Sequence, residues 1–184
     1  MKKKLEIKIA KYIKLKSQVK LYYFEDEIYG RILKESDNFI VICDIKDWHY
    51  DGYMIFPKKY ISKIKYGKLE KFREEIMNKF SLTIKVNLEW LNIDSYHTIF
   101  SSLSQNYNEI CIESALKDIN HFMLGKIVKQ SKNNLYINKL DTYGTWGIGK
   151  IKIPTKNITC IYFKDEYSST LFKYSKGLGD TNAK

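Results

Sequence analysis

Arginine is almost missing from this chain of 184 residues: Arg31 and Arg73 stand against thirty lysines. The planar fork of arginine reads guanine edges and phosphates in bidentate fashion, so its scarcity counts against base-specific nucleic-acid recognition. Proline occurs only as Pro57 and Pro154, and charged residues make up 29%, which excludes a wholly disordered chain. Cysteine occurs three times, as Cys43, Cys111 and Cys160, without metal-type spacing. That usage excludes a disulfide scaffold and leads us to expect a reducing, cytoplasmic setting. No apolar run approaches the roughly 20 residues that cross a bilayer, so no membrane partner is expected. The basic start Met1-Lys2-Lys3-Lys4 is followed by Glu6, Lys8, Lys11 and Lys14, which break the apolar stretch a signal peptide needs.

Catalytic signatures are equally scarce. The three histidines, His49, His97 and His121, lie in no metal-ligand spacing. Glu25, Asp26 and Glu27 cluster, but successive turn residues do not converge on one ion without other ligands. Residues 144–149 are glycine-rich where a hairpin is expected, and a phosphate cradle needs a following helix. The cysteines sit in apolar strand contexts and read as buried, inert thiols. The expectation is a protein without catalytic residues, metal or cofactor.

What the chain has in excess is positive charge: a net +11 and a pI of about 9.3. The lysines are scattered, and a composition rich in Lys, Ile, Asn and Tyr is also what an AT-rich genome encodes. A solvated lysine surface is the plain reading. A surface for a polyanion or an acidic partner is the other.

The pattern repeats. Residues 28–34, Ile-Tyr-Gly-Arg-Ile-Leu-Lys, align with residues 123–129, Met-Leu-Gly-Lys-Ile-Val-Lys, and Gly30 and Gly125 are 95 residues apart. At the same offset Trp48 meets Tyr143 and Gly52 meets Gly147; after two inserted residues Pro57 meets Pro154, Ile61 meets Ile158 and Ile64 meets Ile161. Each copy reads as five strands: 19–24, 28–34, 39–43, 53–56 and 61–66, then 109–114, 122–129, 135–140, 148–153 and 158–163. Asp51-Gly52 reads as a hairpin turn. Leu69, Phe72, Ile76, Met77 and Phe80 recur at helical spacing, and Asp94 is a candidate cap for a helix carrying Ile99, Phe100 and Leu103. Residues 5–13 fit a helix or a strand. The last eight residues read as a frayed tail.

A short helix, five strands, glycine in the second strand and a closing Ile-x-x-Ile resemble the Sm-like fold, a small, strongly bent SH3-type barrel. The resemblance covers residues 5–66 and 94–163. It implies a mainly β protein with a few helices, built as two tandem five-stranded barrels joined by a helical linker. The domains are then 1–68, a linker 69–93, 94–176 and a tail 177–184. Sm proteins hold RNA through an Asn after the second strand and an Arg-Gly near the last hairpin. Neither copy has the Arg-Gly; Asn38, Asn133 and Asn134 stand near the first position without its usual context, so that RNA site does not carry over. The segment Asp47-Trp48-His49-Tyr50-Asp51-Gly52-Tyr53, with Asp141, Gly144, Trp146 and the closing Tyr167, also resembles a group of bacterial proteins of this tandem layout. That group has no established activity, so this likeness implies architecture alone.

The expected function is therefore non-enzymatic binding of another protein. The candidate contacts are Trp48, His49, Tyr50, Asp51, Tyr53, Tyr143 and Trp146, since Trp and Tyr give large contact area at low entropic cost. One specific form is an immunity or antagonist protein that blocks a toxin or defence factor, by association with other small lysine-rich bacterial chains. The alternative is an RNA or single-stranded nucleic-acid binder using Lys58, Lys59, Lys150, Lys152 and Lys156, with tyrosines stacking on bases. A monomer or small homo-oligomer fits either.

Overall fold

Each amphipathic or alternating stretch finds its element in the computed structural model of the chain. It describes residues 2–24, 26–46, 48–80, 82, 87–115 and 122–181, with the backbone alone at 2, 3 and 177–181. The chain divides into two units, Met1–Glu89 and Trp90–Lys184.

The first unit opens with helix α1 (Lys2–Lys14), which settles the ambiguity at residues 5–13. Ile9 is fully buried, Lys11 and Lys14 lie in the last turn, where they complement the helix dipole, and a left-handed turn at Lys16 ends it. Five antiparallel strands come next: β1 (Gln18–Tyr23), β2 (Asp26–Glu35), β3 (Phe39–Lys46), β4 (His49–Pro57) and β5 (Ile61–Lys65). They lie in the order β5-β1-β2-β3-β4. β3 is buried from Phe39 to Ile45, and its first five residues read as an apolar run and not as an alternation. Helix α2 (Lys68–Lys79) closes the unit.

The second unit repeats the plan. Helix α3 (Tyr96–Asn106) leads into β6 (Glu109–Ser114), β7 (Phe122–Gln130), β8 (Asn134–Leu140), β9 (Ile151–Pro154) and β10 (Ile158–Phe163), and α4 (Glu166–Thr181) closes it. The order is β10-β6-β7-β8-β9, the same as in the first unit. The likeness reaches single hydrogen bonds. A bulge interrupts β2 between Ile32 and Lys34, and another interrupts β7 between Ile127 and Lys129. Lys58 N–H donates to the Asn38 carbonyl at 2.7 Å, and Thr155 N–H donates to that of Asn133 at 2.9 Å. Pro57 and Pro154 each start a 3-10 turn with nearly the same backbone angles, φ −64° and −62°. Among the described residues no ladder joins β4 to β5 or β9 to β10.

Several expectations change. The helix in the stretch 69–93 ends at Lys79 and packs on the first unit, where the Gln18 side-chain amide donates to the Met77 sulfur at 2.9 Å. Residues 87–95 are not helical. Ser95, not Asp94, caps α3: its Oγ accepts from Thr98 N–H at 3.1 Å. The frayed tail is helical as far as Thr181. Asp51-Gly52 is no hairpin turn. Lys46 pairs with His49, so the turn falls before His49, and Gly52, at φ 72°, sits in a bulge inside β4 opposite Asp44. β9 starts at Ile151, leaving Ile148 fully exposed in the preceding loop.

Gly30 and Gly125 lie where the neighbouring strand leaves no room for a β-carbon. A β-carbon on Gly30 would collide with the Cys43 carbonyl and the Ile42 methyl; one on Gly125 would collide with the Asn138 carbonyl. Gly30→Ala and Gly125→Ala are each expected to lower stability by about 1–3 kcal/mol, read as a drop in urea midpoint. Gly147→Ala, whose β-carbon meets the Lys139 carbonyl at an ordinary 3.4 Å, serves as the control.

Candidate functional site

The β3–β4 turn places Trp48 at φ 73°, a left-handed conformation that disfavours a bulky side chain. The indole is nonetheless 42% exposed. Its ring meets Phe72 of α2 edge-on, with centroids 6.5 Å apart, and the Arg73 guanidinium lies 5.9 Å from its centre. Phe72 is itself 53% exposed. Between the hairpin and the helix lies a cleft of about 70 Å³ lined by Ile45, Trp48, Arg73 and Met77.

The orientation of α2 explains why this surface is apolar. Glu70 and Met77 point inward, and the Glu70 carboxylate accepts the Gly67 N–H at 2.6 Å at the start of the helix. Leu69, Phe72 and Phe80, part of the stripe that recurs at helical spacing in the sequence, point outward. The buried positions of the helix are Glu70 and Met77, so the apolar stripe is rotated away from the core.

The predicted contacts separate into two groups. Trp48 and His49 are exposed at the hairpin. Tyr50 is half-buried and donates to the Leu82 carbonyl at 3.1 Å; burial raises its phenol. Asp51 is buried and held by the Lys46 ammonium at 2.5 Å, and the same ammonium lies 3.6 Å from Asp44. Tyr53 stands half-buried opposite Cys43. In the second unit Tyr143 is 82% exposed at a loop tip, where Asp141 accepts from the backbone N–H of Tyr143 and Thr145. Trp146 instead stacks on Phe172, with Lys126 4.8 Å above its face. It packs against the core cluster of Cys111, Leu124, Leu140 and Phe172.

The predicted lysines take different places in the two units. Lys58 is spent on Glu35 at 2.7 Å, and Lys59 lies over the Tyr60 ring at 4.5 Å. Lys150 precedes β9, Lys152 lies in it and Lys156 lies in the following 3-10 turn. A cation-aromatic face that the sequence reading missed forms on β5, β1 and β2. There Lys63 and Lys65 lie 5.5 and 5.0 Å from the centre of the Tyr22 ring, and Lys20 and Arg73 lie 4.8 and 4.0 Å from that of Tyr29. Lys20 also pairs with Glu27 at 2.6 Å, and that hydrogen bond raises the ammonium and lowers the carboxyl. The pairing Lys20↔Tyr29 and Lys20↔Lys65 would have shown this row, but it depends on strand register.

The three cysteines are free and buried. Burial pushes the Cys43 thiol up to about 12 and raises Cys111 and Cys160 as well. None is a thiolate at neutral pH. Among the described residues no group of three His, Cys, Asp or Glu side chains could hold a metal ion, and no helix is long and apolar enough to cross a membrane. His121 and Asp47 lie outside the described residues. Comparison of the chain with models of known families, with curated proteins and with solved structures returns no match.

Burial raises the Asp44 carboxyl, against the attraction of Lys46 and the Ile45 N–H. A raised carboxyl opposes folding once ionised. That opposition is absent below the ordinary value of 3.8 and complete above the raised native value. Asp44→Asn is therefore expected to gain stability relative to the parent as pH rises from 4 to 8. Urea midpoints of the two proteins across that range check the sign.

Proposed function

We propose that the protein binds another protein through the surface formed by Trp48, Phe72 and Arg73, and that its two units are SH3-type barrels of the Sm-like kind. Supporting the fold reading are the shared strand order, a side-chain-free position in the second strand and the bulge just beyond it, which bends a strand. One observation carries the binding reading: a tryptophan held in a left-handed turn with its ring open to solvent beside a second exposed aromatic. A glycine at φ 73° would cost nothing, whereas a tryptophan there costs about 1–2 kcal/mol. Backbone strain of this kind collects at functional positions. Trp and Arg are also the residues that dominate interface energetics.

Trp48→Gly relieves the turn while removing the ring. It is expected to leave thermal stability unchanged or higher and to weaken partner binding by about 2 kcal/mol or more, roughly thirtyfold. A tagged pull-down from host lysate, with and without nuclease, followed by titration of the captured protein, checks it. Undiminished binding by a folded Trp48→Gly protein would remove this surface from the function.

A second reading, single-stranded nucleic acid, draws on the face of Lys20, Tyr22, Tyr29, Lys63 and Lys65, where cations alternate with rings that a base can stack on. It predicts oligonucleotide binding that falls steeply with salt and drops further in Tyr22→Ala, by about 1–3 kcal/mol for a lost stacking platform. Binding that ignores Tyr22 would leave only nonspecific lysine attraction.

A further inference from the structure

The partner of the Trp48 surface has a chemistry that the surface itself specifies. Arg73 is one of two arginines in the chain, and it lines the cleft. Tyr29 and Trp48 hold its guanidinium at 4.0 and 5.9 Å from their ring centres, but among the described residues no carboxylate pairs with it. Three lysines of this unit differ: Lys20 pairs with Glu27, Lys46 with Asp51 and Lys58 with Glu35. Two acids of α2 close to Arg73 in sequence are already engaged. Glu70 accepts the Gly67 N–H, and Glu74 accepts the Tyr66 hydroxyl at 2.8 Å. Ring contacts restrain a guanidinium without using its edge N–H donors, which match a carboxylate in bidentate fashion. Beside it, the cleft between Ile45, Trp48 and Met77 has room for a short aliphatic side chain, and Phe72 extends the apolar rim. The net charge of +11 favours encounter with an acidic partner.

We infer that the partner is a protein segment carrying an aspartate or glutamate next to an aliphatic residue, the carboxylate seated on Arg73 and the aliphatic side chain in the cleft. This rests on the protein-binding reading of the same surface. The occupant is thus an acidic, amphipathic peptide and not a basic one, and its register is set by the distance from the guanidinium to the cleft.

The test is selection of a phage-displayed library of random peptides on the full chain, repeated on Arg73→Glu and Trp48→Gly proteins whose folding is verified by thermal melts. Peptides enriched on the parent are expected to pair an acidic residue with Val, Ile, Leu or Met. They should bind Arg73→Glu about tenfold or more weakly, lose binding to Trp48→Gly, and give way to Lys- or Arg-containing peptides when Arg73→Glu is the target. Arg73→Lys, which keeps the charge without the fork, should lie between. Peptides that need Trp48 but carry no acidic residue and ignore Arg73→Glu would overturn the acidic-partner inference while leaving the binding surface in place. Peptides that bind Trp48→Gly as well as the parent, or no enrichment on the parent, would overturn both.

Discussion

Where β2 runs beside β3, and again where β7 runs beside β8, the strands lie too close for any side chain. That close approach at Gly30 and Gly125 governs the path of the chain through the rest of each unit. It holds β2 against β3 and β7 against β8, and the bulge two residues further on precedes the turn at Ser36 or Ser131. The turn carbonyls of Asn38 and Asn133 then receive the backbone N–H just after Pro57 and Pro154. A proline has no N–H of its own, so the bond passes to the next residue and the chain leaves the strand in a 3-10 turn. The fifth strand is thereby returned to the first.

Most of this was legible in the sequence because glycine, proline and alternating apolar residues act locally. The strands can be read in order, and the offset between the two glycines aligns the two copies. Other elements were not legible, for identifiable reasons. Helix α4 begins Glu-Tyr-Ser-Ser-Thr and contains two glycines, a poor helix former on propensity. It forms because Asp165 accepts the Ser168 N–H at 2.8 Å and Phe172 is buried. Asp51-Gly52 carries a strong hairpin signature, yet the tertiary pairing of Tyr53 with Cys43 turns it into a bulge and moves the turn toward Trp48. The site was half legible. Trp48 stood out as an aromatic in a polar loop, but Phe72 and Arg73 join it only because α2 turns its apolar stripe outward, and a helical period gives no phase relative to the sheet.

The basic composition resolves into separate local uses. Lys20, Lys46 and Lys58 each neutralise a carboxylate, and Lys126 covers a tryptophan. One terminal strand of each unit carries another share: Lys63 and Lys65 on β5, and Lys152 with Pro154 on the short β9. Charge, proline and short length are the features that discourage edge strands from pairing with other chains. A lysine-rich chain can therefore spend much of its charge on local contacts.

The three buried thiols have a practical consequence. Cys43 lies in the first unit, and Cys111 and Cys160 lie in the second. Each is shielded from reagent and kept protonated by its surroundings. Alkylation must then wait for opening, and the fragment that gains mass records which unit opened. The molecule carries its own pair of clocks, one in each half, with no label introduced.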